Sequence, residues 1–469
     1  MQIKSVQELI SYLKGAANVE GERVTVADEA ALQTKIDRVV YTAAFGEGLV
    51  RDTARWLIWE LGQSLGIYPA SIHELYMAVG RGDLPANFTV PAMNIRAMNF
   101  NSSRAVFRAA NKLGVGAMIF EIARSEMGYT EQRPAEYVAC VIGAAIKEGF
   151  RGPVFIQGDH FQISAARYAK DPAAEVQAVK ELMVEAVEAG FYNIDIDTST
   201  LVDLSKPTLD EQQKVNYTLC ASLTQYARSL EPGGVTISLG GEIGEVGHKN
   251  STVEELRAFM EGYWRELGDG EGLSKISVQT GTSHGGVVLP DGTLADVSVD
   301  FETLRALSRS AREEFGMGGA VQHGASTLPP NAFGKFPEVG TLEIHLATGF
   351  QNIIYDYLPK ETVDAAYAYL REHLKKHWKP DQTEEQFIYS NRKRVIGHFK
   401  KAWWDLDDQH QREIRGVLQA QFEFLFDCLN VTKTRQMAAD VTTRIEIHRA
   451  RPHEAAADLA AEDVSDLAD

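Results

Sequence analysis

The sequence predicts an α/β protein whose main domain is a (β/α)8 TIM barrel, with an N-terminal helical extension and a C-terminal helical region. Short apolar runs rich in β-branched residues alternate with amphipathic segments of helical periodicity. Eight such units lie within about 270 residues, the usual size of a parallel eight-stranded barrel. A doubly wound open sheet is disfavoured, because the segment after the first run, "NIRAMNFNSS", contains no glycine-rich turn.

The eight apolar runs are the predicted barrel strands. In chain order they cover residues 89–96, 116–123, 153–160, 192–199, 235–244, 275–285, 319–326 and 351–357. Helical patterns between them include "SSRAVFRAANKLG", "AAEVQAVKELMVEAVEAG" and "VSVDFETLRALSRSAREEFG". Each of these patterns ends at a glycine, as expected at a helix C-terminus.

Four regions follow from this reading. They are an N-terminal helical extension (1–85), the catalytic barrel (86–360), a C-terminal helical region (361–450) and an acidic flexible tail (451–469). The tail is rich in alanine and carboxylates and has few residues that can build a core.

The composition excludes several classes of protein. Of the 469 residues, 44% are hydrophobic, but 65 carboxylates outweigh 47 Lys and Arg, and the net charge of -18 argues against nucleic-acid or anionic-membrane partners. The cysteines Cys140, Cys220 and Cys428 are far apart, which argues against a disulfide framework or a thiolate zinc site. No signal peptide or membrane segment is recognised, so we expect a cytoplasmic protein.

Histidines and carboxylates occur where the predicted strands end, which is the catalytic face of such a barrel. They are Asp159 and His160 (third strand), Asp195 and Asp197 (fourth), Glu242 (fifth), His284 (sixth), His323 (seventh) and Asp356 (eighth). Three imidazoles suit a divalent metal such as zinc and leave a coordination position for substrate. Glu242 could complete that shell, whereas Asp195 and Asp197 could instead cap a loop or orient a histidine ligand.

Asp159 and His160 are adjacent, and neighbours in a strand point in opposite directions. Where the strand turns into its loop, both side chains can reach the mouth. One could then bind the metal while the other moves a proton.

Glycines follow two of the candidate ligands, in "GTSHGG" and "HGAS". Their exposed backbone amides, together with the Ser326 hydroxyl, could hold a phosphate. The alternative is that these glycines only form tight βα turns.

The ordered motifs "QGDH", "GGEIG", "GTSHG" and "QHGAS" resemble those of the class II, metal-dependent fructose-bisphosphate aldolase family, and the likeness covers residues 90–356. The resemblance implies reversible retro-aldol cleavage of a ketose (bis)phosphate, such as fructose 1,6-bisphosphate, to dihydroxyacetone phosphate and an aldehyde. It implies Zn²⁺ or another divalent metal and, as in some relatives, a monovalent cation. We also expect a homo-oligomer (dimer or tetramer), because the large helical extensions could form a subunit interface. By motif, the metal ligands are His160, His284, His323 and Glu242, the catalytic acid is Asp159, and the substrate or phosphate contacts are Asn94, Gly285, Gly324, Ser326 and Asp356.

The sequence departs from the family pattern at several substrate positions. Gln157 stands where histidine is usual, and Asn250 stands where a loop glutamate moves the α-proton in some members, with Glu245 and His248 as replacement candidates. A substrate serine on the second strand is Ala123, and the eighth-strand N-x-D-T/S motif is read as residues 354–357. The metal ligands match the family better than the substrate contacts do, so the sugar phosphate stays open.

Two alternatives remain from the sequence. "QGDH" and "AGFYNIDID" also resemble accessory subunits of tagatose-bisphosphate aldolases, although a non-catalytic subunit needs no set of three histidines. A Schiff-base aldolase needs a lysine of lowered pKa at the mouth. No lysine occurs at a predicted strand end, and Lys275 is expected at the start of the sixth strand on the wrong face.

Overall fold

The structure is a computed structural model that describes residues 3–244, 249–281, 289–290, 298–454 and 467. Its strands are β1 (Ala17–Glu20), β2 (Arg23–Val26), β3 (Ile67–Ala70), β4 (Val90–Asn94), β5 (Ile119–Ala123), β6 (Gly152–Gln162), β7 (Asn193–Asp197), β8 (Ser238–Glu242), β9 (Lys275–Val278), β10 (Ala320–Gln322) and β11 (Glu343–Leu346).

The α-helices surround the strands and form both terminal regions. They are α1 (Val6–Leu13), α2 (Glu29–Phe45), α3 (Gly48–Ser64), α4 (His73–Arg81), α5 (Asn99–Leu113), α6 (Arg124–Tyr129), α7 (Pro134–Lys147), α8 (Ala165–Lys170), α9 (Pro172–Ala189), α10 (Leu209–Ser229), α11 (Val253–Leu267), α12 (Phe301–Phe315), α13 (Lys335–Glu338), α14 (Thr348–Tyr357), α15 (Lys360–His373), α16 (Glu384–Asn391), α17 (Ile396–Trp404), α18 (Asp408–Cys428) and α19 (Arg435–Val441). Short 3₁₀ helices lie at Ser199–Leu201, Ala325–Thr327, Pro330–Ala332, Lys375–His377 and Arg392–Val395.

Strands β4 to β11 form a closed parallel barrel. They pair in chain order, β11 pairs with β4, and the pairing of β6 with β7 completes the cylinder. The (β/α)8 prediction is therefore confirmed, and the open-sheet alternative is excluded. Strands β4 to β10 fall within or overlap the first seven predicted runs.

The eighth predicted strand is wrong. Residues 351–357 belong to helix α14, and the eighth barrel strand is β11, "EIHL", which lies a few residues earlier. The physical reason is that β11 is short and places the polar residues Glu343 and His345 inside the barrel, so it lacks the apolar run of a buried strand. The apolar residues of "QNIIYDY" instead lie on one face of a helix.

Glycines end the three helices for which a glycine stop is predicted. Helices α5, α9 and α12 stop at Gly114, Gly190 and Gly316, whose φ angles are 68°, 109° and 70°. Glycine adopts this left-handed conformation without the steric penalty of a Cβ, so each helix ends at the predicted residue.

The N-terminal extension is not purely helical, which corrects the expectation for residues 1–85. Strands β1 and β2 form an antiparallel hairpin, and β3 pairs in parallel with the beginning of β6 on the outside of the barrel. Strand β6 has eleven residues, long enough to pair with β3 at its start and with β7 further along.

The N-terminal extension packs against the segment that follows α19. The indole nitrogens of Trp56 and Trp59 on α3 donate hydrogen bonds to the carbonyls of Arg449 and Ile447 at 2.9 and 2.6 Å. The segment after α19 therefore lies against α3. Within the described part of the chain, no helix combines the length and the apolar character needed to cross a bilayer.

Candidate active site

A bulge in β6 brings Asp159 and His160 to the same place. The register of β6 against β7 shifts between Gly158 and Phe161, and His160 has a φ of 40°. Such a bulge re-aims the side chains that follow it, so two neighbours that would diverge along a regular strand both face the barrel mouth. Gly158 is required here, because a Cβ on it would lie 2.2 Å from the Phe161 ring.

Three imidazoles lie side by side in the mouth. The ring centroids of His160 and His323 are 4.5 Å apart, and those of His323 and His345 are 4.0 Å apart. Ligand atoms of Asp159, His160 and His323 lie within 4.8 Å of one another. The structure therefore brings together two of the predicted histidine ligands, while the third, His284, lies outside the described residues.

His345 is a site residue that sequence reasoning missed. It lies in β11, and its Nδ1 is 3.2 Å from both Glu121 Oε2 and Asp159 Oδ1. The signal available in the sequence was the period-two placement of Glu343 and His345 in "EIHL", because alternate residues of a strand face the same side. Because the run is polar on that side, it lacks the apolar pattern by which buried strands are predicted.

His160 is oriented by two carboxylates. Its Nδ1 is 3.1 Å from Asp197 Oδ2 and 3.6 Å from Glu242 Oε2. Ser199 and Gln162 each donate a hydrogen bond of 2.7 Å to Asp197, which holds that carboxylate in place. Burial raises the pKa of Asp197, but these hydrogen bonds and His160 lower it more, so that it falls below its usual value. Asp197 therefore fits the role of orienting a histidine.

Below the histidines, Lys275 connects several buried groups. Its Nζ lies 2.8 Å from Asp195 Oδ1 and 2.6 Å from Glu343 Oε1, and it donates to Gln157 Oε1 at 2.7 Å. The expectation that Lys275 lies on the wrong face is therefore wrong: its side chain points into the barrel and is fully buried. Gln157 also donates to Glu121 at 3.0 Å, which joins this layer to the histidine layer above.

The site concentrates buried carboxylates. The described residues of the barrel interior include six buried carboxylates in contact with one another through Lys275 and the histidines: Glu121, Asp159, Asp195, Asp197, Glu242 and Glu343. Burial and the neighbouring Asp197 raise the pKa of Glu242 to about 8, and burial raises the pKa of Glu121 well above its usual value. Repulsion of this kind favours binding of a cation.

The residues present fit a divalent metal. Imidazole nitrogens and carboxylate oxygens are the donors that such ions take in proteins, and four groups of three such side chains converge in the mouth. Glu121 Oε1 is buried and has no hydrogen-bond partner among the described residues. An unpaired buried carboxylate oxygen is costly unless something else satisfies it, and a bound cation would do so.

The end of β4 carries a second polar group. Asn94 Nδ2 donates to Glu126 Oε2 at 2.5 Å, and Arg96 donates to Glu126 Oε1 at 2.6 Å. Asn94 Oδ1 is buried without a hydrogen-bond partner in the described part of the chain. Lys393 approaches from the C-terminal region, and burial together with Arg96 lowers its pKa to about 7. This concentration of cations beside the mouth was not predicted from the sequence.

Gly324 and Ser326 occupy the turn after β10. Gly324 has a φ of 68°, and Ser326 Oγ accepts a hydrogen bond of 2.5 Å from the backbone amide of Ala347 after β11. The hydroxyl thus ties two neighbouring βα loops together at the rim.

Other predicted residues lie elsewhere. Asp356 is exposed on helix α14 and is not at the end of a barrel strand. Asn250 donates to Asp300 Oδ2 at 3.0 Å, so its amide serves the N-cap residue of α12. Gly285, Glu245 and His248 lie outside the described residues.

Comparisons with known proteins agree with this architecture. A family model described as fructose-bisphosphate aldolase class-II matches residues 85–402. A search of curated proteins finds no match.

Several solved structures are similar to this chain at low sequence identity. A probable tagatose 6 phosphate kinase from Sinorhizobium meliloti 1021 is 17% identical, aligns over 75% of this chain and 97% of that chain, and has a TM-score of 0.52. A fructose-bisphosphate aldolase from Campylobacter jejuni is 17% identical over 77% and 94% of the two chains, with a TM-score of 0.45. The YdjI aldolase from Escherichia coli K12 is 15% identical over 72% and 98%, with a TM-score of 0.41.

The family match covers more than half of the chain and coincides with the barrel whose mouth holds the histidines and carboxylates. The chain therefore belongs to the class II fructose-bisphosphate aldolase family.

Proposed function

We propose that the protein is a metal-dependent aldolase that reversibly cleaves a ketose (bis)phosphate, of the fructose 1,6-bisphosphate type, to dihydroxyacetone phosphate and an aldehyde. The observation that carries the proposal is the convergence of Asp159, His160 and His323, with ligand atoms within 4.8 Å of one another. A barrel needs no such cluster of imidazoles and carboxylates for its stability, because buried charges are costly.

His160, His323 and His284 would hold the divalent ion, zinc in our proposal, with Glu242 as a further ligand. When bound, the ion supplies a Lewis acid for the carbonyl oxygen of the substrate. Asp197, 3.1 Å from His160 Nδ1, orients that imidazole.

Asp159 would move the proton at the aldehyde oxygen. Burial raises the pKa of Asp159, but His160 and His345 lower it more, and it falls well below its usual value. The carboxylate is therefore ionised at neutral pH and can accept the proton of the C4 hydroxyl as the C3–C4 bond breaks. In the direction of condensation it returns that proton to the new alkoxide.

The substrate phosphate would lie at the glycine-containing turns. Gly324, Gly285 and the Ser326 hydroxyl are the proposed contacts, since backbone amides in such turns bind anions. Asn94 Oδ1, which is buried and without a partner among the described residues, is positioned to accept a hydrogen bond from a substrate hydroxyl.

A Schiff-base mechanism is a poorer fit. A lysine that forms an imine needs a lowered pKa. Although burial lowers the pKa of Lys275, the charges of Asp195 and Glu343 raise it more, so that it lies above its usual value. Borohydride reduction in the presence of dihydroxyacetone phosphate should therefore leave the enzyme active.

The test combines metal analysis with a cleavage assay on ketose bisphosphates before and after EDTA. We expect a bound divalent ion and an activity that EDTA removes and zinc restores. Asp159→Asn should keep the ion and lose at least about a hundredfold in rate, the usual contribution of a general acid or base. Asp356→Asn is the matched control and should change neither.

Variants of the ligands separate the alternatives. His160→Ala and His284→Ala should lose the metal and the turnover together. Activity that is insensitive to EDTA, in a protein without bound metal, would contradict the proposal. A protein that binds metal and cleaves no ketose bisphosphate would instead favour the accessory-subunit alternative.

A further inference from the structure

A second cavity lies outside the barrel mouth. It has a volume of about 340 Å³ and is bounded by α2, the first turns of α5, the end of α7 and helices α17 and α18. This volume is in the range of sites that bind small molecules. None of the residues that we assign to the metal or to the proposed aldolase substrate lines it.

One wall of the cavity is aromatic. The rings of Phe100 and Trp404 are stacked at a tilt of 23° with centroids 6.2 Å apart, and the Tyr41 ring meets Trp404 edge-on at 6.3 Å. These side chains come from three different helices, α2, α5 and α17. A planar ring of a ligand can pack against such a wall.

The cavity is also lined by four basic side chains, those of Arg104, Lys147, Arg412 and Arg415, together with the carboxylates of Asp37 and Asp408. Arg415 is only 7% exposed, and its Nη1 donates a hydrogen bond to Asn101 Oδ1 at 2.6 Å. Among the described residues, Arg415 Nε has no hydrogen-bond acceptor, and no carboxylate lies within 4.0 Å of the guanidinium. A buried guanidinium without an anion is unfavourable, because it has lost water and gained no counter-charge.

Neighbouring arginines increase this positive charge. Arg104 and Arg108 share one carboxylate, that of Glu148, at 2.6 and 2.8 Å. Burial, followed by the charges of Arg104 and Arg108, lowers the pKa of Arg415 to about 10. Phe100 lies in the first turn of α5, where the helix dipole adds positive potential. The local charge contrasts with the net charge of -18 for the whole chain.

We propose that this cavity binds a phosphorylated small molecule with a planar ring, of the nucleoside monophosphate class. The phosphate lies on Arg415 and Arg104, and the ring lies on Phe100 and Trp404. An anion at this place supplies the direct ion pair that Arg415 lacks, and the aromatic wall distinguishes a nucleotide from free phosphate. The site is independent of the aldolase chemistry.

The test is calorimetric titration of the full-length, EDTA-treated protein with AMP and, separately, with inorganic phosphate. AMP should bind at submillimolar concentration and at least about tenfold more tightly than phosphate. Arg415→Gln should weaken AMP binding at least about tenfold, as expected for losing hydrogen bonds to a charged group. Arg309→Gln, an exposed arginine on α12 whose side chain is 72% exposed, is the matched control and should bind AMP as the wild type does.

If circular dichroism shows that Arg415→Gln does not fold, a second variant still tests the proposal. Trp404→Leu removes half of the stacked pair and should abolish the preference for AMP over phosphate. Equal affinity of the wild type for AMP and phosphate, absence of AMP binding at millimolar concentration, or wild-type binding by folded Arg415→Gln would each overturn the proposal.

Discussion

Replacing Lys275 by methionine should destabilise the protein more than any other single change of charge in the barrel. Lys275 is fully buried and is the only lysine or arginine contacting Asp195 and Glu343 among the described residues, at 2.8 and 2.6 Å. Methionine keeps most of the apolar stem, so the loss is the charge and its hydrogen bonds. Removing one partner of a buried ion pair typically costs about 3–5 kcal/mol. We expect a loss in this range, because His345 still contacts Glu343 at 2.6 Å.

The loss should depend on pH with a known sign. Without the lysine charge, the pKa values of Asp195 and Glu343 rise in the folded state above their unfolded values. The folded variant then binds more protons than the unfolded chain, so its stability falls as pH rises through these carboxyl pKa values. The deficit relative to wild type should be smaller at pH 5 than at pH 8.

The assay is urea unfolding in EDTA, followed by tryptophan fluorescence and far-ultraviolet circular dichroism at both pH values. Lys360→Met, whose side chain is 85% exposed, is the control and should change the free energy of unfolding by less than about 0.5 kcal/mol. The double variant Lys275→Met/Glu343→Gln should regain part of the loss. A deficit for Lys275→Met below about 1 kcal/mol, or one that does not shrink at pH 5, would refute the reasoning.

Three further predictions concern other parts of the structure. Burial and nearby arginines lower the pKa of Lys393 to about 7. The unfolded chain therefore binds more protons than the folded one between about pH 7 and 10.4. In this range the free energy of unfolding of the wild type should rise with pH relative to that of Lys393→Met, with a slope below about 1.4 kcal/mol per pH unit. A difference in free energy of unfolding between the two proteins that stays constant with pH would contradict this. His345→Gln should reduce metal affinity at least about tenfold by equilibrium dialysis, as loss of a residue beside the ligands does. His410→Gln, on the half-exposed His410 of α18, is the control and should not. Gly158→Ala would place a methyl group 2.2 Å from the Phe161 ring, so it should cost about 1–3 kcal/mol of stability and lower turnover; unchanged melting and turnover would show that the bulge tolerates the methyl group.

The amino-acid sequence alone determined the features that depend on local pattern. Alternation of apolar runs with helical periodicity predicted the barrel, and the glycines at the ends of α5, α9 and α12 marked where these helices stop. Polar residues directly after apolar runs identified Asp159, His160 and His323 as candidates. These inferences worked because each depends on residues close together along the chain.

Tertiary structure decided what local pattern leaves undefined. The eighth strand escaped notice because its inward residues, Glu343 and His345, are polar, and such residues are stable inside a barrel only when partners arrive from other strands. Gln157 and Glu343, for example, are 186 residues apart and form a hydrogen bond of 3.1 Å. No periodicity along the chain encodes that pairing.

The folded barrel likewise decided the direction in which several side chains point. The bulge in β6 turned Asp159 and His160 to the same side, and closure of the barrel turned Lys275 inward against Asp195. The sequence thus determined which chemical groups were available near the strand ends. Only the closed barrel, by bringing eight strands within hydrogen-bonding distance, decided which of those groups share one electrostatic environment.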